Sequence, residues 1–266
     1  MVSSTSIMFL VVSLIISVGA PVGLLAYFYK KYKISIKSVL VGVLIFVIFS
    51  QILEKLLHYF VLTKNLQTAV LLKNPWLFMI YGGLAAGIFE EVGRYVGFKF
   101  LLKGQRDWKD GIAYGIGHGG IEAILIGGVG SIQNIVYSNL INSGTFEKVL
   151  SVKVPASMLA TIKNSLVNTP FYMFGFIGIE RILVLPLQIA LSLVVLYGIK
   201  KDKKIYLLYA IIIHAIIDFP AALYQAGKVK SIFLVEGGVL VIAIISLIFI
   251  IKSKGLFNRI SSEKAC

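Results

Sequence analysis

The chain has 266 residues, of which 58% belong to the set AVILMFWYC and only 14% are charged, whereas a soluble domain is about a quarter charged. A mean hydropathy of +0.90 excludes a soluble enzyme. The low charge, the single Cys and the lack of a recurring period of about 20 to 50 residues exclude a disordered chain, a disulfide scaffold and a repeat solenoid. What remains is an all-α, polytopic integral membrane protein.

Apolar runs near the roughly 20 residues needed to span a hydrocarbon core predict about seven transmembrane helices: Ile7 to Phe28, Val39 to Phe60, Trp76 to Phe98, Gly111 to Tyr137, Phe171 to Ile199, Ile205 to Ala226 and Ile232 to Ile251. Short polar joints separate them, so residues 1–266 read as a single transmembrane helical domain. Pro155 to Asn168 is too short and too polar to span, and is expected to form an interfacial helix. The first run lacks a basic n-region and an A-x-A site, so it reads as a span rather than a cleaved signal peptide. Cys266, the last residue, offers no disulfide and is misplaced for a CaaX prenylation signal.

The net charge of +14 comes from 26 Lys+Arg against 12 Asp+Glu. Four basic residues fall at 30–37, four at 99–109, four at 200–204 and four in the tail (Lys252, Lys254, Arg259, Lys264). The alternate joints hold Lys64, Lys73, Lys148, Lys153, Lys163, Lys228 and Lys230, a split of 16 to 7. By the positive-inside rule the N-terminus is outside and the C-terminus cytoplasmic, in a cell membrane of the bacterial cytoplasmic type. The positive charge therefore marks orientation at an anionic leaflet. Nucleic acid is not an expected partner, because the basic residues sit in short joints without interleaved aromatics.

The acids behave differently. Seven of the 12 (Glu54, Glu90, Glu91, Glu122, Glu180, Asp218, Glu236) and all three His lie within spans, against three of 26 basic residues, Lys55, Arg94 and Arg181. A central charge costs about 2.5–3.5 kcal/mol on insertion scales, so such groups are retained for pairing, protonation or contact with water. Glu90, Glu91, His118, Glu122, Gln188, His214 and Asp218 stand eight to fourteen residues from the cytoplasmic ends of four spans (about 76–98, 111–137, 171–199 and 205–226). At 1.5 Å per residue this is one layer about 12–20 Å deep. Glu90 to Arg94, His118 to Glu122, Gln188 to Ser192 and His214 to Asp218 are each i, i+4, which gives each span one polar stripe. Gly82-Gly83, Gly87, Gly115, Gly117, Gly119-Gly120 and Gly127-Gly128 allow close helix packing there. Pro186 and Pro220 are expected to kink their spans. Glu54, Lys55 and His58 read as a solvated stripe near the outer end of the second span, Glu180 with Arg181 as an ion pair locking helices, and Glu236 as structural.

The segments EEVGR at 90–94, GIGHGGIEA at 115–123, ER at 180–181 and HAIID at 214–218 resemble the YhfC family of intramembrane proteases. That family is similar to the type II CAAX prenyl endopeptidases, the PrsW-like proteases and the multi-pass Aph subunit of γ-secretase. The resemblance covers spans three to six. It implies an EExxxR or EExxR/K motif, matched by Glu90, Glu91 and Arg94; an FxxxH or FxxxE motif, matched by Glu122 with His118 where Phe often stands; and an HxxxN/D/S motif, matched by His214 and Asp218. One motif departs: where the resemblance implies a His followed by a small hydroxyl residue, this chain has Gln188 and Ser192. Gln is a poor metal ligand and neither acid nor base.

The residues themselves are suited to hydrolysing a peptide bond of a membrane or lipidated protein with an activated water. Glu90 is then the general base, Glu91 the partner of Arg94, and Glu122 with His118 the groups that hold or polarise the water. His214, with Gln188, stabilises the oxyanion while Asp218 sets the histidine tautomer. A divalent metal such as zinc is the alternative activator, held by Glu90 or Glu91, Glu122 and His214. Two other functions use the same residues: a non-catalytic membrane scaffold, and a proton- or cation-coupled transporter, against which the lack of inverted halves counts.

Overall fold

The computed structural model describes residues 1–152 and 154–263. Lys153, Lys264 and Cys266 lie outside the described residues. Among those described, long helices account for nearly the whole chain and no strand is present. In chain order they are α1 (Ser4–Tyr32), α2 (Ile36–Lys64), α3 (Leu66–Leu71), α4 (Pro75–Val96), α5 (Trp108–Asn142), α6 (Phe146–Leu150), α7 (Ala156–Asn168), α8 (Phe171–Lys200), α9 (Ile205–Gln225) and α10 (Ile232–Glu263). Six of them, α1, α2, α5, α8, α9 and α10, are long and apolar enough to cross a membrane. The remaining long helix, α4, carries Glu90, Glu91 and Arg94. Outward-facing Leu40, Ile15, Leu234 and Ile251 are exposed, as an apolar surface matched to lipid tails requires.

Local signals set the helix starts. Asn74 caps α4 by accepting from the backbone N–H of Trp76 and Leu77, with Pro75 at the first helical position. Ser35 caps α2 in the same way. Asn65 starts the short α3 inside what reads from sequence as a polar joint. π-Helical turns with i→i+5 bonding interrupt α2 at Val47–Glu54 and α5 at Ala123–Val129, directly after Glu122. Pro186 and Pro220 lie inside unbroken α8 and α9.

The chain forms two compact units. The first comprises residues 1–23 and 122–182. Its core is Leu10, Phe146, Leu159, Leu166 and Phe174. Ser13 Oγ donates to the Phe174 carbonyl at 2.6 Å and accepts from the Gly178 N–H at 3.2 Å, tying α1 to α8. Val2 and Asn142 exchange two hydrogen bonds that close the N-terminus onto the end of α5. The helix expected at 155–168 is present as α7, and its Lys163 donates to Glu147 at 2.6 Å, which holds that exposed carboxyl below its ordinary range.

The second unit comprises residues 24–121 and 183–266. Its core gathers Ile45, Phe98, Tyr114, Ile116, Leu191, Leu193 and Leu196. Small residues decide how close its helices come. A Cβ on Gly117 would stand 2.0 Å from the Val39 carbonyl oxygen of α2, and one on Gly115 would stand 2.5 Å from the Ile189 Cα of α8. On the other pair, a Cβ on Gly87 of α4 would stand 2.7 Å from the Ile211 carbonyl oxygen of α9. So α5 is pinned between α2 and α8, while α4 lies against α9.

The last helix continues past Ile251, where the apolar run stops, to Glu263. Ser253, Phe257 and Ile260 recur at helical spacing and are buried, so packing extends the helix through the basic tail. Trp108 Nε1 donates to Ser253 Oγ at 2.9 Å, and Trp108 lies edge-on to Tyr32. The end of α1, the start of α5 and the tail of α10 thus meet on one face, as the alternation of basic joints requires.

Gly117→Ala should lower the thermal midpoint of the purified protein, because overpacking against backbone costs about 1–3 kcal/mol. Gly238→Ala, with nothing within 4 Å of its Cβ, should leave it unchanged. Thermal unfolding of both variants in one detergent checks this.

Candidate functional site

In the second unit the polar residues of α4, α5, α8 and α9 converge on Arg94. Its side chain has no solvent exposure. Arg94 Nε donates to Glu91 Oε1 at 3.1 Å, and Nη1 donates to Ser192 Oγ at 2.7 Å and to the Gln188 carbonyl at 2.8 Å. Nη2 donates to the Gln188 side-chain oxygen and lies 3.4 Å from Glu90 Oε2 and 3.1 Å from His118 Nε2. A guanidinium has five N–H donors in a fixed fork, and here the fork is met on every side.

Glu90 is the centre of a second set of contacts. Its Oε2 lies 2.9 Å from His118 Nε2, 3.4 Å from Gln188 Nε2 and 3.9 Å from His214 Nε2. His118 is held by Phe46, edge-on at 5.0 Å between centroids, and by Tyr114, stacked at 6.1 Å.

His214 completes the cluster from α9. Its Nδ1 pairs with Glu91 Oε1 at 2.7 Å, while Asp218 Oδ2 lies 3.5 Å from Nε2. The shorter contact of His214 is to Glu91, which is buried beside Arg94 and aims the same oxygen at both. The Asp218 side chain is 39% exposed, so the polar chain from Glu91 through His214 reaches the surface of the unit at Asp218.

Of the residues read from sequence, Glu90, Glu91, Arg94, His118, Gln188, His214 and Asp218 are brought together. Glu122 ends the first stretch of α5, one turn beyond His118, and is buried. Within the first unit it accepts from Arg181 Nη1 at 2.9 Å, and Arg181 also pairs with Glu180. The expected Glu180–Arg181 pair is therefore a triad with Glu122. Glu54, expected in a solvated stripe, is buried; it faces His58 at 3.3 Å, and His58 Nδ1 is 2.7 Å from Tyr81 OH. Tyr81 comes from α4, and no i, i+4 pattern links it to His58. Ser192, Tyr114 and Phe46 also belong to the site. Ser192 and Tyr114 sit four residues from Gln188 and His118, a usable signal, whereas Phe46 is one aromatic in a long apolar run.

The donor types gathered here, carboxylate and imidazole, are those of a divalent-metal site. A tetrahedral zinc with bonds of about 2.0–2.2 Å separates neighbouring ligand atoms by about 3.3–3.6 Å. The separations from Glu90 Oε2 to His118 Nε2 and His214 Nε2, 2.9 and 3.9 Å, bracket that value. An imidazole nitrogen facing a carboxylate oxygen at such range requires a proton or a cation between them. His118 Nδ1 and Glu91 Oε2 are buried without a hydrogen-bond partner, so neither polar group is saturated. The Glu90 carboxylate and the His118 imidazole are donor types that suit zinc, and the Arg94 guanidinium lies beside both, 3.4 and 3.1 Å away.

The fold and site define a helical membrane protein with a buried carboxylate–imidazole centre. The chain matches the YhfC intramembrane metalloprotease family over residues 14–239 and belongs to it. It is 44% identical over 258 residues, 97% of this chain and 100% of the relative, to the uncharacterized membrane protein YhfC of Bacillus subtilis (strain 168). No solved structure matches the chain.

Arg94→Ala should destabilise the protein by about 3–5 kcal/mol, since it leaves Glu90 and Glu91 buried without their guanidinium partner. Ser192→Ala, which removes one acceptor, should cost about 1–3 kcal/mol. Thermal midpoints of the two variants in one detergent give the order.

Proposed function

We propose that the protein hydrolyses a peptide bond of a membrane or lipidated protein within the membrane. The observation that carries this reading is the Glu90 carboxylate, set 2.9 Å from one buried imidazole and 3.9 Å from another on three different helices. Glu90 is the general base: it takes a proton from water as the water oxygen attacks the carbonyl carbon, and it returns that proton to the departing amine. His214, with Nδ1 held by Glu91, presents Nε2 toward the reacting centre and stabilises the oxyanion. Arg94 is a positioning residue, fixing Glu91 and the Gln188 backbone.

Were a divalent metal bound there instead, Glu90 and His118 would be its ligands within the second unit, and Glu90 would then not serve as the base. When bound, the metal supplies Lewis-acid polarisation of the carbonyl and a more acidic water. Gln188 contributes hydrogen bonds, not metal ligation. The exposed edge at Asp218 is the side from which substrate and water enter.

A second reading, a non-catalytic scaffold, is favoured by one observation: Arg94 ties Glu90, Glu91, Gln188 and Ser192 into a closed network. The two readings separate in cells. New membrane-protein termini, mapped by mass spectrometry, should appear with the wild-type chain and vanish with both Glu90→Gln and His214→Ala at equal membrane levels. Identical termini in all strains would sink the protease reading.

Metal content provides a further check. Purified wild-type protein should carry about one zinc per chain by elemental analysis, and His118→Ala with Glu90→Gln should bring it near zero. A dialysable metal, absent at stoichiometry from the wild type, would count against the assignment.

A further inference from the structure

We propose that the face where the basic joints gather holds a binding site for the phosphodiester headgroup of an anionic phospholipid. A recess of about 330 Å³ lies there, in the second unit, at the size of the smaller ligand sites. The ends of four helices form it: Tyr32 closes α1, Trp108 opens α5, Lys200 closes α8 and Phe257 comes from the extended tail of α10.

The charges in it do not balance. Lys109, Lys200 and Lys254 line the recess against one carboxylate, Asp107, which lies 3.6 Å from Lys200 and is itself well exposed. Three ammonium groups against one carboxylate leave an excess of two positive charges, and juxtamembrane lysines at such a face attract anionic lipid at about 1 kcal/mol each.

The aromatic rings make the recess a built site. Lys254 Nζ sits 5.6 Å from the Tyr32 ring centre and 5.7 Å from that of Trp108, and Lys200 Nζ sits 5.7 Å from Phe257. Trp108 is fixed by its bond to Ser253, and Phe257 is buried. The Lys200 and Lys254 ammonium groups thus each lie over a ring face, while Lys109 is exposed beside them. Rings of this kind belong at the headgroup level of a bilayer, with lipid chains adjoining, which favours a lipid phosphate over a soluble one.

The chain carries two Trp, so Trp76→Phe leaves Trp108 as the reporter inside the recess. Full-length protein in detergent is titrated with dioleoyl phosphatidylglycerol, dioleoyl phosphatidylcholine or inorganic phosphate while Trp108 emission is followed. Phosphatidylglycerol should give a saturable change at a mole fraction at least about tenfold below phosphatidylcholine, and Lys200→Gln with Lys254→Gln should raise its half-saturation about tenfold or more. Lys109→Gln alone, an exposed change, should raise it about threefold. Lys203→Gln with Lys204→Gln removes the same charge from a different crevice on that face and should leave it within about twofold. The proposal is overturned by equal response to the two lipids, by an equal loss in the charge-matched control, or by a full response to inorganic phosphate.

Discussion

A buried guanidinium in a membrane protein must have its donors met by the protein, because lipid offers nothing in exchange. Arg94 meets this requirement with groups from its own helix and from α8, and it reaches α5 through His118. Once those partners are fixed, the rest of the layer follows. Glu91, held by Arg94, is the group that orients His214; Glu90, one residue earlier, is left facing both imidazoles. The desolvation of such a cluster is repaid only when its geometry is well satisfied. This is the physical reason for so many bonds to one side chain.

Close packing is the second requirement, and it comes from residues without side chains. Gly115 and Gly117 bring α5 against α8 and α2, so the His118 ring stands between Phe46 and Tyr114 while its Nε2 reaches Glu90. Gly87 does the same between α4 and α9, which carry Glu91 and His214. Dispersion and small-residue contact drive helix association in lipid, where hydrophobic burial is weak. The polar chemistry thus rests on an apolar device.

The charges of the chain divide into two working populations. Acids and imidazoles occupy the buried layer, where each must be paired, while lysines gather at the helix ends on one face, with aromatic rings beneath them. On the reading proposed above, the first population holds the reacting groups. The second lies at helix ends, where aromatic and basic residues meet the headgroups of a bilayer.

Composition and hydrophobic run length by themselves determined the class and most of the helical spans, because bilayer thickness acts on any chain in the same way; seven runs read as spans, and six helices are long and apolar enough to cross a membrane. Misplaced acids at a shared depth and i, i+4 spacing also pointed to Glu90, Glu91, Arg94, His118, Glu122, Gln188, His214 and Asp218 as one group, of which all but Glu122 meet in the second unit. Partner choice was beyond that reading. Spacing along α9 paired His214 with Asp218, and the fold adds a shorter bond to Glu91; Glu54 looked solvated, yet it is buried, and His58 beside it bonds to Tyr81 of another helix. The helical tail beyond Ile251 likewise depended on Phe257 and Ile260 finding a packed surface. Helical periodicity specifies which face a residue occupies; only the rotation and approach of neighbouring helices decide what that face meets.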